Sequence, residues 1–368
     1  MHRISIIICT RDRALSLART LAAIGEVALP PGVTCEILIV DNASKDETET
    51  VARGTQLRNA APVRYLREPR GGHSCARNAG LAAATGDLIV FTDDDVIPAV
   101  DWLDKLCAPI LSGTADAVAG GVRLAPHLER PWMSAFHRAW LAGTDGLDRR
   151  EPSRMVGANM AFARSVLEKV PAFDPELGPG AIGFGDDTLF SLQLRQAGYR
   201  IAAAFDAEVV HHFEERRLTV PHWLESARRM GRTDAWLAYH WENSDWARPW
   251  QMLLKAALRR GVLAARWSSI PAPERLLQAT RHLHACRQYL REFRRPRNYE
   301  PRGLVKRDAT LPTGESRRVS KAARGRAALQ SGCAAKQGAR LPFARSALEC
   351  AASPQRFFHA TGPFWTSA

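Results

Sequence analysis

The sequence lacks any run of 18 apolar residues, so nothing in its 368 residues reads as a membrane-spanning helix. Met1-His2-Arg3 leads directly into an apolar run, without the charged, apolar and small-residue succession of a secretion signal. Cysteine is scarce and odd in number, seven in all, which excludes a disulfide scaffold. Cys9 and Cys35 sit inside apolar runs, where a thiol serves as a small hydrophobe, and a reducing cytoplasm is the expected compartment. No glycine-rich dinucleotide fingerprint follows the first apolar run, where Thr10-Arg-Asp-Arg-Ala-Leu-Ser16 stands instead, and the P-loop pattern is also absent. Hydride transfer and ATP hydrolysis lose their main support. There is no internal repeat.

What is present describes a globular chain: 46% hydrophobic and 24% charged residues, with ordinary glycine and proline. The formal charge of +13 is unevenly spread. Residues 296–368 hold 13 Lys and Arg against 4 Asp and Glu, a surplus of nine, which leaves a surplus of four for the first 295. The basicity belongs mostly to an aperiodic Ala/Arg/Ser/Gly-rich tail that reads as disordered. Polyanion binding by that tail is one reading. It carries no nucleic-acid recognition motif and few aromatics among its cations, so no specific nucleic-acid partner is expected.

Short β-rich runs at 4–10, 35–41, 63–66, 87–92 and 117–121 alternate with helical spacings such as Leu17, Leu21, Ile24 and Leu103, Leu106, Ile110. This pattern predicts an α/β fold: a mostly parallel sheet with helices on both faces. The nucleotide-facing half would span 1–122. A second half at 123–215 would hold runs at 155–163, 200–204 and 208–211 and a helix from Asp186. A helical extension rich in Arg and Trp would cover 216–295 and precede the tail. Ligands of such sheets bind at the carboxyl ends of strands, so the polar residues there are the candidates.

Asp93-Asp94-Asp95 follows the apolar run Leu88-Ile-Val-Phe-Thr92. Alternate side chains of a strand face the same way, so Asp93 and Asp95 can converge on Mg²⁺ or Mn²⁺ while Asp94 points elsewhere. A solvated acidic turn capping the next helix is the plainer reading. Asp41 also ends a strand run, where its carboxylate can accept hydrogen bonds from a base or ribose. Arg77 lies in Gly71-Gly-His-Ser-Cys-Ala-Arg77-Asn78-Ala-Gly80 and can meet a diphosphate at a helix N-terminus, or simply pair with a carboxylate. Asp186 and Asp187 open a helix after the loop Gly183-Phe184-Gly185. Capping explains one carboxylate, and the other is a candidate general base. His211 ends a run and can complete an oxygen-rich metal site or be structural.

Taken in order, these motifs resemble family 2 glycosyltransferases with a GT-A-type nucleotide-sugar domain. The resemblance rests on Cys9-Thr10-Arg11, Val40-Asp41-Asn42-Ala43-Ser44, Ala76-Arg77-Asn78-Ala79-Gly80, Asp93-Asp94-Asp95, Gly157-Ala158-Asn159-Met160, Asp186-Asp187 and the strand ending at His211. It spans about residues 3–240. The resemblance implies a nucleoside-diphosphate-sugar donor, UDP- or dTDP-linked, bound by Thr10, Arg11, Asp41, Arg77, Asp93 and Asp94. A divalent cation would be held by Asp93, Asp95 and His211. Asn159 and Gly185 would lie on the acceptor side. Asp187 would act as base, beside Asp186; many members have Glu-Asp here. The implied reaction inverts the anomeric centre while a sugar passes to a hydroxyl of a saccharide or lipid-linked acceptor, in surface polysaccharide or glycolipid synthesis. A binding module without turnover and a nucleotidyltransferase are the other readings. Around 246–267, Trp246, Trp250, Leu254 and Leu258 interleave with Lys255, Arg259, Arg260 and Arg266. Such a helix either lies on an anionic membrane surface or packs on its own domain.

Overall fold

The computed structural model describes residues 2–267 and 271–296. Apart from Pro296, the basic tail and the expectation of disorder attached to it lie outside the described residues.

The chain alternates strands and helices in the order β1 (His2–Thr10), α1 (Ala14–Ile24), β2 (Val33–Asp41), α2 (Thr48–Gly54), β3 (Val63–Arg67), α3 (His73–Ala83), β4 (Leu88–Asp93), β5 (Val96–Pro98), α4 (Trp102–Leu111) and β6 (Ala117–Leu124). It continues through α5 (Ala135–Trp140), β7 (Asn159–Ala163), α6 (Asp186–Gln196), β8 (Ile201–His211), α7 (Val220–Trp236), α8 (Pro249–Ala265) and α9 (Glu274–Glu292).

The described strands form one sheet in the order β3-β2-β1-β4-β7-β6-β8-β5. β1 runs parallel to β2 and β4, β2 to β3, and β6 to β8. β7 is antiparallel to both β4 and β6, and β5 to β8. The sheet is therefore mostly parallel, as expected, with six strands running one way and β5 and β7 reversed. Periodicity does not reveal the two reversals, because a strand covered on both faces is equally apolar whichever way it runs. The runs expected at 200–204 and 208–211 are one strand. Its pairing with β6 jumps from Gly120↔Ala204 to Gly121↔Glu208, so β8 bulges between them.

Alternation along β1 sorts its side chains into two cores. Ile4, Ile6 and Ile8 pack with Leu17 and Leu21 of α1 and with Leu103 and Leu106 of α4. Ile7 and Cys9 face the other way, towards Ala76 of α3 and Phe190 and Leu194 of α6. Each of these isoleucines is essentially inaccessible, worth about 1.5–3 kcal/mol apiece in transfer free energy. The C-terminal helices join the same body. Trp223 and Ala227 of α7 and Leu277 of α9 pack with Leu124 of β6 and with Phe213, just beyond β8.

This topology fixes where the polar residues gather. Thr10 is in register with Asp41, and Cys9 with Asp93, so the carboxyl ends of β1, β2 and β4 form one row. His211, the last residue of β8, pairs with Val96 of β5 immediately after Asp95.

Candidate active site

A cleft of about 1290 Å³ opens along that row, with α7, α8 and α9 contributing to its walls. Thr10, Arg11, Arg77, the three consecutive aspartates, Gly185, Asp186, Asp187 and His211 all line it.

Asp93 is the last residue of β4, and Asp94 and Asp95 form the turn into β5. That turn, rather than strand alternation, brings Asp93 and Asp95 together with His211. One donor atom from each lies within 4.8 Å of the others. Asp94 is turned away and buried. Its oxygens accept from the Thr10 hydroxyl at 2.7 Å and from Arg13 at 2.8 Å. Arg13 also donates to Asp95 at 2.7 Å and reaches Glu214 at 3.2 Å. Burial pushes the Asp94 carboxyl up to about 6, with the Arg13 charge opposing and Asp95 adding to it. Burial also works to raise the Asp95 carboxyl; a protonated His211 together with Arg13 would outweigh it and hold the carboxyl below its usual range, whereas a neutral His211 leaves Arg13 to oppose burial.

The His211 ring tests whether a cation fits. Its Nδ1 is 2.9 Å from the Leu141 carbonyl, which can only accept, so Nδ1 carries the proton. In the neutral ring Nε2 is then a lone pair. It lies 3.2 Å from Oδ1 of Asp95, an inaccessible oxygen with no hydrogen-bond partner among the described residues. Two acceptors facing each other in a buried site suit a shared cation. A histidine that donates its other N–H to a carbonyl is the usual way such a ligand is oriented. The oxygen-rich donor set matches Mg²⁺ or Mn²⁺.

On the opposite wall, Gly185 adopts φ +86° and starts α6, a conformation that a glycine accommodates without strain. Asp186 and Asp187 follow in the first turn and diverge. Asp186 is buried against Arg77 at 2.7 Å and His73 at 3.4 Å. Burial opposes ionisation of Asp186, but Arg77 and His73 overcome it and hold the carboxyl well below its usual range. Arg77 lies over the rings of Phe91 and Phe173. Asp187 is half-buried. It accepts from the Gly157 N–H at 3.0 Å and the Thr188 N–H at 2.7 Å and forms no ion pair among the described residues, although the Arg77 and Arg154 charges lie near it. Residue 157 must be glycine: a Cβ there would stand 1.8 Å from an Arg77 nitrogen.

Two expected residues are placed elsewhere. Asp41 is fully buried, with its oxygens taken by the Ser44 N–H and the Tyr65 hydroxyl, both at 2.7 Å. It stands behind the cleft, and Asn42 is the neighbour that lines it. Asn159 is likewise inaccessible. It accepts from the Trp102 indole and donates to the carbonyls of Gly121 and Ala207, so it ties β7 to β6, α4 and β8 rather than meeting an acceptor. Motif reading missed Arg13 and Arg154, both in the cleft wall. Arg13 had a signal, a cation three residues past the end of β1. Arg154 had none.

Residues 5–171 match the model for glycosyl transferase family 2. That segment, residues 5–171, belongs to the family. This glycosyltransferase is 29% identical over 245 residues to the succinoglycan biosynthesis protein ExoM of Rhizobium meliloti (strain 1021), covering 62% of this chain and 73% of ExoM. It is 25% identical over 213 residues to the glycosyltransferase AglE of Haloferax volcanii, covering 56% of this chain and 66% of AglE. Among solved structures it resembles the mannosyltransferase PcManGT from Pyrobaculum calidifontis, determined in complex with GDP-Man and Mn²⁺. That likeness has a TM-score of 0.55 at 22% identity, over 78% of this chain and 87% of that one, and establishes the GT-A-type fold.

Proposed function

We propose that this glycosyltransferase moves a sugar from a nucleoside-diphosphate donor, UDP- or dTDP-linked, to a hydroxyl of a saccharide or lipid-linked acceptor with inversion at the anomeric carbon. The observation that carries the reading is the pairing, across one cleft, of a metal-suited Asp93–Asp95–His211 cluster with the Asp187 carboxylate, which forms no ion pair among the described residues. A divalent cation held by Asp93, Asp95 and His211 would offset charge on the departing diphosphate.

Asp187 takes the proton of the acceptor hydroxyl as its oxygen attacks the anomeric carbon and the bond to the diphosphate breaks. The Gly157 N–H holds Oδ2, and the Thr188 N–H and hydroxyl hold Oδ1, so the carboxylate is fixed in place while Oδ2 keeps a second lone pair for this task. Asp186 is poorly suited, because protonating it would strand the buried Arg77 charge. Arg77 orders this wall, and Arg13 holds Asp94 and Asp95 in place. A single displacement needs no enzyme nucleophile, so positioning and electrostatics carry the rate. The kinship with ExoM supports a role in polysaccharide synthesis.

A thermal-shift panel of UDP, dTDP and GDP, with and without Mn²⁺, tests the donor class. A ligand present at 100 times its Kd stabilises by about 2.7 kcal/mol, a rise of several degrees in Tm. The expected result is a Mn²⁺-dependent rise with UDP or dTDP. A folded sample that responds to none of the three would overturn the donor assignment.

α8 supports a peripheral membrane contact. Trp250, Leu254, Leu258 and Val262 are spaced four apart and more than half exposed, forming one apolar stripe. Lys255, Arg259 and Arg260 accompany it, and residues 248–267 contain no acidic side chain. Ala256, on the other side of the helix, is buried with Leu283 and Cys286 of α9. Lys255 and Arg259 also line the cleft, so a bilayer against α8 would lie beside the acceptor side. The protein is expected to co-sediment with anionic vesicles and less with neutral ones, each cation adding about 1 kcal/mol. Leu254→Glu with Leu258→Glu should abolish this. Sedimentation indifferent to anionic lipid would remove the membrane from the reading.

A further inference from the structure

Arg154 enters the cleft three residues before Gly157, the residue whose N–H holds Asp187. Its Nε is inaccessible and has no hydrogen-bond partner, and its guanidinium forms no ion pair among the described residues. Burial works against its charge. The nearby Asp187 favours that charge, and Arg281 repels it. Arg281 itself is matched, gripping Asp234 through two bonds of 2.7 Å. Arg154 is half-buried, and a cation whose Nε is shut off from solvent without a partner gains little stability from its charge. The rest of the wall explains why a cation would be kept there. Asp93, Asp95, Asp186 and Asp187 all face this cleft, and an anion approaching Asp187 would be repelled unless a positive group received it.

We propose that Arg154 binds an oxyanion carried by the acceptor, a phosphate or a carboxylate set close to the hydroxyl that is glycosylated. The planar guanidinium offers a fork of donors that matches either group. The proposal rests on the reading of Asp187 as the acceptor-side base and names the acceptor's chemical class. Arg154 is then a residue of acceptor specificity that leaves the donor half untouched.

The test uses the full chain as wild type, Arg154→Gln and Arg154→Lys. Each is titrated calorimetrically in metal-free buffer with methyl phosphate, glucuronate and, as a neutral control, methyl glucoside. Wild type should bind at least one of the two anions. Arg154→Gln should weaken that binding tenfold or more, and Arg154→Lys should recover part of it. A preference for methyl phosphate would identify a phosphate-bearing acceptor, and a preference for glucuronate an acidic sugar. Equal anion affinity in all three proteins, or no anion binding by wild type, overturns the proposal. A structural role would appear as a lower Tm of Arg154→Gln with unchanged anion affinity. An uncompensated cation instead predicts a Tm no lower than wild type. The UDP–Mn²⁺ shift, measured on the same samples, separates the two readings. Its absence from wild type would remove the donor reading, whereas its presence alongside equal anion affinities would remove only the Arg154 site.

Discussion

Asp187→Asn should reduce sugar transfer by about 10²–10⁴-fold, the usual contribution of a positioned general base, while nucleotide binding in the presence of Mn²⁺ stays near wild type. The amide has almost the shape of the carboxylate and can still accept from the Gly157 N–H, so the wall keeps its form, but it cannot take the hydroxyl proton. Asp186→Asn should behave differently. It would leave the Arg77 charge buried without its anionic partner at 2.7 Å, a loss of about 3–5 kcal/mol that shows first as a fall in Tm. The pH dependence has a matching sign. Asp186 is depressed in the folded state, so its stabilisation is complete above the ordinary carboxylate range and is lost progressively as pH falls from that range down through the lower folded-state value. Steady-state transfer and thermal melts of the two variants check this division. A folded Asp187→Asn enzyme with near-normal transfer would refute the assignment of the base.

The legible part of this fold was what periodicity records. The runs that became β1, β2 and β4 were placed within a residue or two, because strands covered on both faces must be apolar throughout. Their carboxyl-end residues were legible for the same reason. Strand direction was not: β7 is five residues long and antiparallel to both neighbours, and nothing in Asn159–Ala163 encodes that choice. The fates of Asp41 and Asn159 were hidden too. Each stands where a ligand contact is plausible, yet Tyr65 and Ser44 claim the first, and Trp102, Gly121 and Ala207 claim the second. Arg154 was invisible because its distinguishing property, a missing partner, is a fact about three dimensions.

The second large effect is expected at the metal-suited cluster. Asp95→Ala removes the oxygen that faces Nε2 of His211, and with it one of three converging donor groups. Arg13 keeps Asp94 and Glu214 as partners, so the variant should remain folded. Without that carboxylate, Asp93 and His211 offer a divalent ion too few protein ligands to compete with water. Asp95→Ala should therefore lose the Mn²⁺-dependent part of the UDP thermal shift, and the wild type treated with a chelator should match it. His211→Gln provides an independent arm, because it removes the nitrogen donor and leaves both carboxylates in place. If the three residues act as one site, Asp95→Ala and His211→Gln lose the same metal-dependent increment, and the double variant loses no more than either alone. Calorimetry showing unchanged Mn²⁺-dependent UDP binding in Asp95→Ala would place the metal elsewhere. In that case the lone pair of His211 facing an unsatisfied carboxylate oxygen would have to be read as an imidazolium ion-paired to Asp95, a structural contact that closes the gap between β5 and β8.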